Sequence, residues 1–270
     1  MAVRGESLEV RDDRVVGEAP LEIRAAGPRQ DPVAVAVTMR TPGHEAELAI
    51  GFLRTEGLIE GPEVVGTSVG NPANLSQPDD TIVVRLSIPF DASKVSGRHF
   101  IATASCGICG KASIDEVAQR CEPLAPGPVV SRAVVLALPD LLRAAQRAFD
   151  ETGGLHAAGL FAPNGELIAI REDVGRHNAL DKLVGSQVLA GALPLHDRLV
   201  MVSGRVSFEI VQKAAVVGIP IVCAVSAPSD LAIETAERLG VTLVGFLRGD
   251  GFNVYAHDGR IGLRDLSVFA

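Results

Sequence analysis

The amino-acid sequence predicts an α/β protein with a mixed, mainly parallel sheet covered by helices. Strand and helix patterns alternate along the second half of the chain, which is typical of βαβ units. Aromatic residues make up only 4% of the chain, so small residues supply much of its apolar content. The first half instead predicts strands with a single helix, a smaller α+β region. The 270 residues suffice for one large domain or two small ones, each able to bury a core.

The first half contains two predicted strands and one predicted helix. Residues 33–39 form a β-branched run that predicts a buried strand, and the Thr-Pro-Gly sequence after it ends that strand. Residues 45–56 place apolar side chains at helical spacing and precede a glycine, which predicts a helix. Residues 66–80 are rich in Gly, Asn, Pro and Ser and predict a loop, whereas residues 81–88 predict another strand.

A linker is predicted at residues 122–128, which contain three prolines and one glycine. We therefore divide the chain near residue 125. Residues 1–125 form the predicted N-terminal α+β region, which includes a Cys-x-x-Cys loop. Residues 126–270 form the predicted α/β domain.

The second half alternates between segments with the 3.6-residue period of a helix and segments typical of strands. Residues 139–149 predict a helix with Pro139 in its first turn, where the missing N–H needs no partner. Residues 155–162 and 166–171 flank an Asn-Gly pair, which is typical of a β-hairpin. The remaining predicted elements are helix 179–190, strand 198–202, helix 206–217, strand 219–226, helix 230–239 and strand 241–246.

Charge and hydropathy exclude several classes of partner. The chain has 25 Lys and Arg against 33 Asp and Glu, a net charge of −8. This balance argues against a general nucleic-acid binder and against an anionic membrane surface. Residues 1–6 lack the apolar core of a secretory signal, and the longest uncharged stretch, residues 214–229, is broken by glycine and proline. We therefore expect a cytoplasmic protein with reduced thiols and with neither nucleic acid nor membrane as partner.

The most specific chemical feature is the sequence Cys106-Gly-Ile-Cys109-Gly. Two thiols at this spacing can bind one metal, form one disulfide or act on one reactant, and they can also be ordinary loop residues. Structural zinc needs four ligands, and Cys121 and His99 are the remaining candidates. A thioredoxin-like dithiol needs a helix directly after the pair, and residues 114–120 are a short helix candidate.

Sulfur carriage is the third mechanism for this pair. A carrier cysteine must be exposed, mobile and deprotonated, because the thiolate attacks a donor persulfide. Gly107 and Gly110 provide backbone freedom. Lys111 is the nearest charge, and no acid lies between Asp91 and Asp115. A nearby cation favours the thiolate.

Further polar clusters follow predicted strands of the second half. Because ligands of open α/β sheets bind at the carboxyl ends of strands, we expect residues 203–205, 226–228 and 247–249 to share one edge. His156 and the charged run 171–182 form another cluster, and residues 207, 209 and 213 continue the first one along a helix. The alternatives are a salt-bridged turn, an interior histidine and ordinary surface loops. The remaining thiols, Cys121 and Cys223, are predicted to be structural, with Cys223 in the core.

Five motifs in this order carry a family resemblance. They are Ser-Cys106-Gly-Ile-Cys109-Gly, Thr-Gly-Gly-Leu-His156-Ala-Ala, the run from Arg171 to Lys182, Val-Ser-Gly-Arg205-Val-Ser-Phe-Glu, and Phe-Leu-Arg248 through Asn253-Val-Tyr. The sequence resembles the formate dehydrogenase accessory sulfurtransferase family (FdhD/NarQ). The likeness runs from about residue 45 to residue 255, whereas the first forty residues match nothing in it.

The resemblance implies a function. The family takes sulfur from a cysteine desulfurase as a persulfide and delivers it to the molybdenum, or tungsten, bis-guanine-dinucleotide cofactor of formate dehydrogenase. Its catalytic pair falls on Cys106, the persulfide cysteine, and Cys109, which we expect to assist transfer. Its cofactor-binding run falls on Phe246, Leu247, Arg248, Gly249, Asp250 and Gly251. The resemblance also implies a homodimer, each chain of which contains a cytidine-deaminase-like, three-layer α/β domain.

Two alternatives stay open at this point. A chaperone would bind the cofactor without moving sulfur, and an interaction protein would be stabilised by zinc. A zinc deaminase needs His-x-Glu before Pro-Cys-x-x-Cys, whereas here Ala157 and Ala158 follow His156 and the cysteine pair precedes it. We therefore expect no catalytic metal. The anionic cofactor needs local cations, for which Arg176, Arg205 and above all Arg248 are candidates.

Overall fold

The computed structural model describes residues 1–5, 7–10, 12–69, 80–95, 101–102 and 122–263. A short antiparallel hairpin comes first, formed by β1 (Ala2–Arg4) and β2 (Ser7–Glu9). The larger sheets contain five and six strands, and each packs against helices. Among the described residues, no helix combines the length and the apolar character that crossing a bilayer requires.

The five-stranded sheet belongs to the first half of the chain. Its strands are β3 (Ala19–Ala26), β4 (Val33–Arg40), β5 (Val64–Val69), β6 (Thr81–Leu86) and β7 (Ile101–Ala102), in the order β5-β6-β3-β4-β7. The helix α1 (Glu45–Thr55) packs against it and buries Leu48, Ile50 and Leu53 with the strand residues Leu21 and Ile23. These bounds confirm the predicted strands and helix of this half.

The loop predicted over residues 66–80 is wrong for its first part. Residues 66–69 belong to β5, where Val69 pairs with Ile82 across an antiparallel ladder. Pairing with the next strand therefore overrides the local composition, which is rich in residues typical of turns. Residues 70–79 lie outside the described part of the chain.

The six-stranded sheet belongs to the second half. Its strands are β9 (His156–Phe161), β10 (Leu167–Asp173), β11 (Leu199–Val202), β12 (Ile221–Ala224), β13 (Thr242–Arg248) and β14 (Gly251–Ala256), in the order β10-β9-β11-β12-β13-β14. The sheet is mixed, but only β11, β12 and β13 are parallel neighbours. The other neighbouring pairs are antiparallel: hairpins join β9 to β10 and β13 to β14, and β11 also runs antiparallel to β9. The expectation of a mainly parallel sheet is therefore wrong: two neighbouring pairs, at the centre, are parallel and three are antiparallel.

Helices cover both faces of this sheet. They are α2 (Arg132–Ala145), α3 (Arg147–Thr152), α4 (Arg176–Leu189), α5 (Phe208–Val216) and α6 (Asp230–Leu239). Alternation along β9 divides the core: Ala157 and Phe161 pack with α2, whereas Ala158 and Leu160 pack with α4, α5 and α6. The arrangement is a mixed α/β fold. Its likeness to cytidine deaminases stays a prediction.

Pro139 lies inside α2 and not in its first turn, so the predicted start of this helix is wrong. The helix begins at Arg132, after Ser131, whose Oγ accepts a hydrogen bond from the backbone of Val134. Apolar side chains at helical spacing are buried on both sides of the proline, and this packing offsets the hydrogen bond that proline removes. They are Val135, Leu138 and Leu142. The short strands β8 (Val130–Ser131) and β15 (Ile261–Gly262) pair in parallel. β8 lies directly before α2, and β15 is the last described strand.

The two halves of the chain meet where α1 crosses α4. A Cβ atom added to Gly51 would lie 1.8 Å from the carbonyl oxygen of Asp181, and one added to Gly185 would lie 1.8 Å from that of Glu47. The absence of side chains at both glycines therefore permits backbone contact between these helices. The division near residue 125 stays a prediction.

Candidate functional site

One edge of the six-stranded sheet, here called the rim, collects the polar segments that follow its strands. The backbone N–H of Ser203 donates to Ala157, and the N–H of Ala157 donates to Ser203 Oγ, at 3.0 and 2.9 Å. Val206 forms a parallel bridge with Pro228. The N–H of Phe246 donates to the carbonyl of Ser226 at 3.2 Å. The segments 203–205, 226–228 and 247–249 therefore lie side by side, as their places after parallel strands predict.

His156 lies at the rim beside the Ser-Gly-Arg segment. A Cβ atom on Gly204 would be 3.2 Å from His156 Nδ1 and 3.7 Å from the Cδ of Arg176, so the glycine admits both side chains. Burial lowers the pKa of His156, and the positive charge of Arg176 lowers it further, against the opposing effect of Asp173. A neutral imidazole here acts as a hydrogen-bonding group and adds no positive charge.

His177 stands on the first turn of α4 and faces the start of α5. Its Nε2 lies 3.1 Å from Ser207 Oγ and 4.0 Å from Glu209 Oε2. Burial lowers the pKa of His177 to about 3, with further contributions from the charges of Arg176 and Lys213. The pair of His177 and Ser207 is therefore a neutral hydrogen bond at ordinary pH.

A buried network joins the rim to the five-stranded sheet. Asp173 ends β10, and its Oδ2 lies 2.7 Å from the Nζ of Lys182 and accepts the N–H of Thr41 at 3.1 Å. Lys182 also donates to the carbonyl of Thr41 at 2.9 Å. Asn178 donates to the carbonyl of Met39 at 2.7 Å and lies 3.3 Å from Thr38 Oγ1. The end of β4 is thus held against the end of β10 and the start of α4.

Sequence reasoning identified Asp173, Asn178 and Lys182 but missed Thr38, and it used Thr41 only as the end of a strand. Their contacts join residues that are more than a hundred positions apart. No local pattern around either threonine signals such a partner.

Lys213 belongs to the interior and not to the rim, which corrects its place in the predicted cluster. Its Nζ donates to Thr55 Oγ1 at 2.9 Å and to Asp181 Oδ1 at 2.8 Å. These residues connect α1, α4 and α5 where the two halves meet. Burial raises the pKa of Asp181, whereas the charges of Asp181 and Glu56 outweigh burial and raise the pKa of Lys213.

The segment expected to bind the cofactor forms the end of β13 and the turn into β14. Phe246 has a φ of 50° and is 38% exposed, and the Arg248 guanidinium lies 5.8 Å from the centre of its ring. Leu247 is buried in the core, so its side chain supports the strand. Gly249, with a φ of 60°, and Asp250 form the exposed turn before Gly251. The structure thus presents Phe246 and Arg248 outward.

Of the four cysteines, one is buried in the core and three lie outside the described residues. Cys223 is fully buried, as predicted, and burial raises its pKa to about 12, so it is unsuited to nucleophilic chemistry. Cys106 and Cys109 fall outside the described ranges, as do Cys121, His99, Lys111 and the candidate helix 114–120. In the part of the chain that the structure describes, no group of three or more His, Cys, Asp or Glu residues could hold a metal ion.

Comparison with known proteins gives the family. The sequence model described as the FdhD/NarQ family matches residues 16–262. This chain belongs to the FdhD/NarQ family. The match covers both sheets, including β3, which lies ahead of the motifs that carry the resemblance, so the expectation that the first forty residues match nothing is wrong from residue 16 onward.

Relatives of this family member span nearly the whole chain. Proteins named sulfur carrier protein FdhD are 45% identical in Streptomyces avermitilis, with 97% of this chain and 94% of the relative covered, and 47% identical in Mycolicibacterium paratuberculosis, with 93% of each covered. The relative from Sulfurisphaera tokodaii is 44% identical over 96% of both. A crystal structure from Desulfotalea psychrophila, described as a candidate formate dehydrogenase accessory protein, is 27% identical with a TM-score of 0.70 over 96% of both chains.

Proposed function

We propose that this protein is a sulfurtransferase that carries persulfide sulfur on Cys106. It accepts the sulfur from a cysteine desulfurase and delivers it to the molybdenum bis-guanine-dinucleotide cofactor of formate dehydrogenase. Relatives named sulfur carrier proteins support the carrier role. The motif Cys106-Gly-Ile-Cys109-Gly supports the choice of cysteine.

The observation that carries this proposal is the position of β7, the last described strand before the cysteine motif. The last described residue before the motif, Ala102, pairs with Thr38 of β4. Thr38 in turn lies 3.3 Å from Asn178, next to His177 at the rim. Cys106 is four positions after Ala102, and four residues span at most about 14 Å. The chain therefore leads into the cysteine motif from β7, the strand beside β4, whose end contacts the start of α4.

The loading step is an exchange at sulfur. The Cys106 thiolate attacks the outer sulfur of the desulfurase persulfide, a new S–S bond forms, and the donor cysteine leaves as a thiolate. No net oxidation occurs, because one persulfide replaces another. Lys111 is the nearby charge that favours the thiolate.

Release of the sulfur as sulfide needs two electrons, which Cys109 supplies in this proposal. Its thiolate attacks Cys106 Sγ, a disulfide forms between the two cysteines, and the outer sulfur leaves as hydrosulfide toward the metal of the cofactor. The disulfide is then reduced by a cellular dithiol. The second thiol of the motif therefore has a defined chemical task.

The cofactor carries pyrophosphate groups, so a chain with a net charge of −8 must hold it with local cations. Arg205 and Arg248 are exposed at the rim, and Arg176 lies half-buried beside Gly204. Phe246 and Arg248 stand next to each other at the end of β13. We assign the run Phe246 to Gly251 to the cofactor, with Arg248 as its principal cation. A homodimer in the cytoplasm completes the proposal.

Intact-mass measurement tests the carrier role. After incubation with a desulfurase and cysteine, the wild-type protein should gain about 32 Da, one sulfur atom, that a reducing thiol removes. Cys106→Ala should lose this increment, and Cys223→Ala, which changes a buried thiol, should keep it. An unmodified wild-type protein that still binds the cofactor would identify a chaperone instead. Full loading of Cys106→Ala would contradict the assignment of the persulfide cysteine.

A further inference from the structure

A cleft of about 450 Å³ lies at one end of the five-stranded sheet, where β4 ends and β3 and β6 begin. Its apolar wall contains Leu21, Val69 and Ile82, and its polar lining includes Arg40, Glu45 and Asp80. None of these residues belongs to the rim. The volume is within the range of small-molecule sites.

Arg40 lines this cleft, and its guanidinium has a donor without a hydrogen-bond partner among the described residues. Its side chain is only 4% exposed, and its Nε lies 3.2 Å from Glu45 Oε1. Its Nη1 is buried and has no hydrogen-bond partner in the described part of the chain. Buried donors in native proteins are nearly always paired, and a guanidinium offers five of them. Arg40 lines the cleft, so a ligand bound there is the nearest source of a further acceptor for its guanidinium.

Glu45 is already committed to the local turn. Its Oε1 accepts the N–H of Gly43 at 2.7 Å in addition to facing Arg40. Burial would raise the pKa of Glu45, but the backbone N–H groups and the charges of Arg40 and Lys182 outweigh it and hold the pKa below its ordinary value. Glu45 thus neutralises part of the Arg40 charge without using the whole edge of the guanidinium.

Asp80 determines what kind of acceptor fits. Its half-exposed carboxylate lines the same cleft and would repel a simple anion. A ligand that carries a carboxylate for Arg40 and an ammonium group for Asp80 satisfies both charges, and an aliphatic body suits the apolar wall. We propose that the cleft beside Arg40 binds a small aliphatic zwitterion of the α-amino acid class.

Calorimetric titration of the full chain tests this with three probes. L-leucine carries both charged groups, isovalerate carries only the carboxylate and isopentylamine only the ammonium. Leucine should bind one-to-one, with each single-charge probe weaker by about tenfold or more. Absence of leucine binding at concentrations up to about 10 mM would overturn the proposal.

Substitutions then locate the site. Asp80→Asn should weaken leucine binding about threefold, because its ammonium loses a partner. The same change should strengthen isovalerate binding by a similar factor, because the repelling charge is gone. Arg40→Lys should weaken the binding of leucine and of isovalerate about tenfold, since the planar guanidinium that pairs with a carboxylate is lost. Asp258→Asn removes an exposed carboxylate elsewhere and should change neither affinity.

A cleft-filling variant keeps the test independent of Arg40. Ala19 also lines the cleft, and Ala19→Leu should abolish leucine binding while circular dichroism and the urea midpoint confirm folding. Leucine binding that survives unchanged in both Ala19→Leu and a folded Arg40→Lys would place the site elsewhere and overturn the assignment.

Discussion

Asp173 and Lys182 form an ion pair of 2.7 Å in which the side chains are 0% and 1% exposed. Charges so deeply buried are stable only when paired and hydrogen-bonded. Asp173 also accepts the N–H groups of Thr41 and Gly175. The pair therefore holds the end of β4, the strand with which β7 pairs, against the start of α4 at the rim.

Lys182→Met should lower the free energy of unfolding by about 3–5 kcal/mol, because Asp173 is left as an unpaired buried charge. Urea unfolding followed by circular dichroism measures this loss. Asp197→Asn is the matched control, since it breaks an ion pair with Arg198 in which the carboxylate is 68% exposed. Equal unfolding midpoints for the two variants would show that the buried pair does not hold the structure together.

Gly185→Ala should lower the free energy of unfolding by about 2 kcal/mol through overpacking. The new Cβ would lie 1.8 Å from the carbonyl oxygen of Glu47, so α1 and α4 must move apart. Alanine favours a helix by about 1 kcal/mol over glycine, so stabilisation is the opposite outcome and would contradict the crossing. Gly259→Ala, where a Cβ atom meets nothing within 4 Å, is the control in the same urea experiment.

His177 should remain neutral throughout the physiological range. Its pKa of about 3 in the folded state lies below the ordinary 6.5, so the unfolded state binds the proton more tightly. The resulting stability is present above pH 6.5 and is lost as the pH falls toward 3, at about 1.4 kcal/mol per pH unit. NMR titration of the imidazole and urea midpoints between these pH values measure both effects.

The variant His177→Gln should show a shallower loss of stability with acid, because it removes this titration. An imidazole that titrates near 6.5 in the folded protein would contradict the buried hydrogen bond to Ser207.

Arg248→Ala should weaken binding of GDP, a fragment of the proposed cofactor, by about tenfold, because the principal cation for its pyrophosphate is lost. The urea midpoint should stay unchanged, since Arg248 is exposed. Arg198→Ala removes an arginine just before β11, at the opposite edge of the sheet, and should bind GDP as the wild type does. An equal loss of GDP affinity in both variants would indicate nonspecific attraction of GDP to surface arginines, which would contradict the assignment of the run Phe246 to Gly251.

Local signals predicted much of this fold. The helix predicted over residues 230–239 has these bounds in the structure, because Ser229 caps its start and Gly240 takes a left-handed conformation at its end. The Asn-Gly hairpin between β9 and β10 is equally local. Where the prediction was wrong, tertiary contacts outweighed the local preference: burial of apolar side chains around Pro139, and strand pairing with β6 at residues 66–69.

By itself, the sequence determined most helices and central strands of the second half, the family motifs and the candidate cysteines, because periodicity, caps and short motifs act within a few residues. Only the tertiary structure decided that Thr41 meets Asp173, that Lys213 lies in the interior and that Arg40 faces a cleft. These contacts depend on how distant segments pack. Packing is a property of the assembled chain, since the free energy of burying each charge depends on partners that no neighbouring residue supplies.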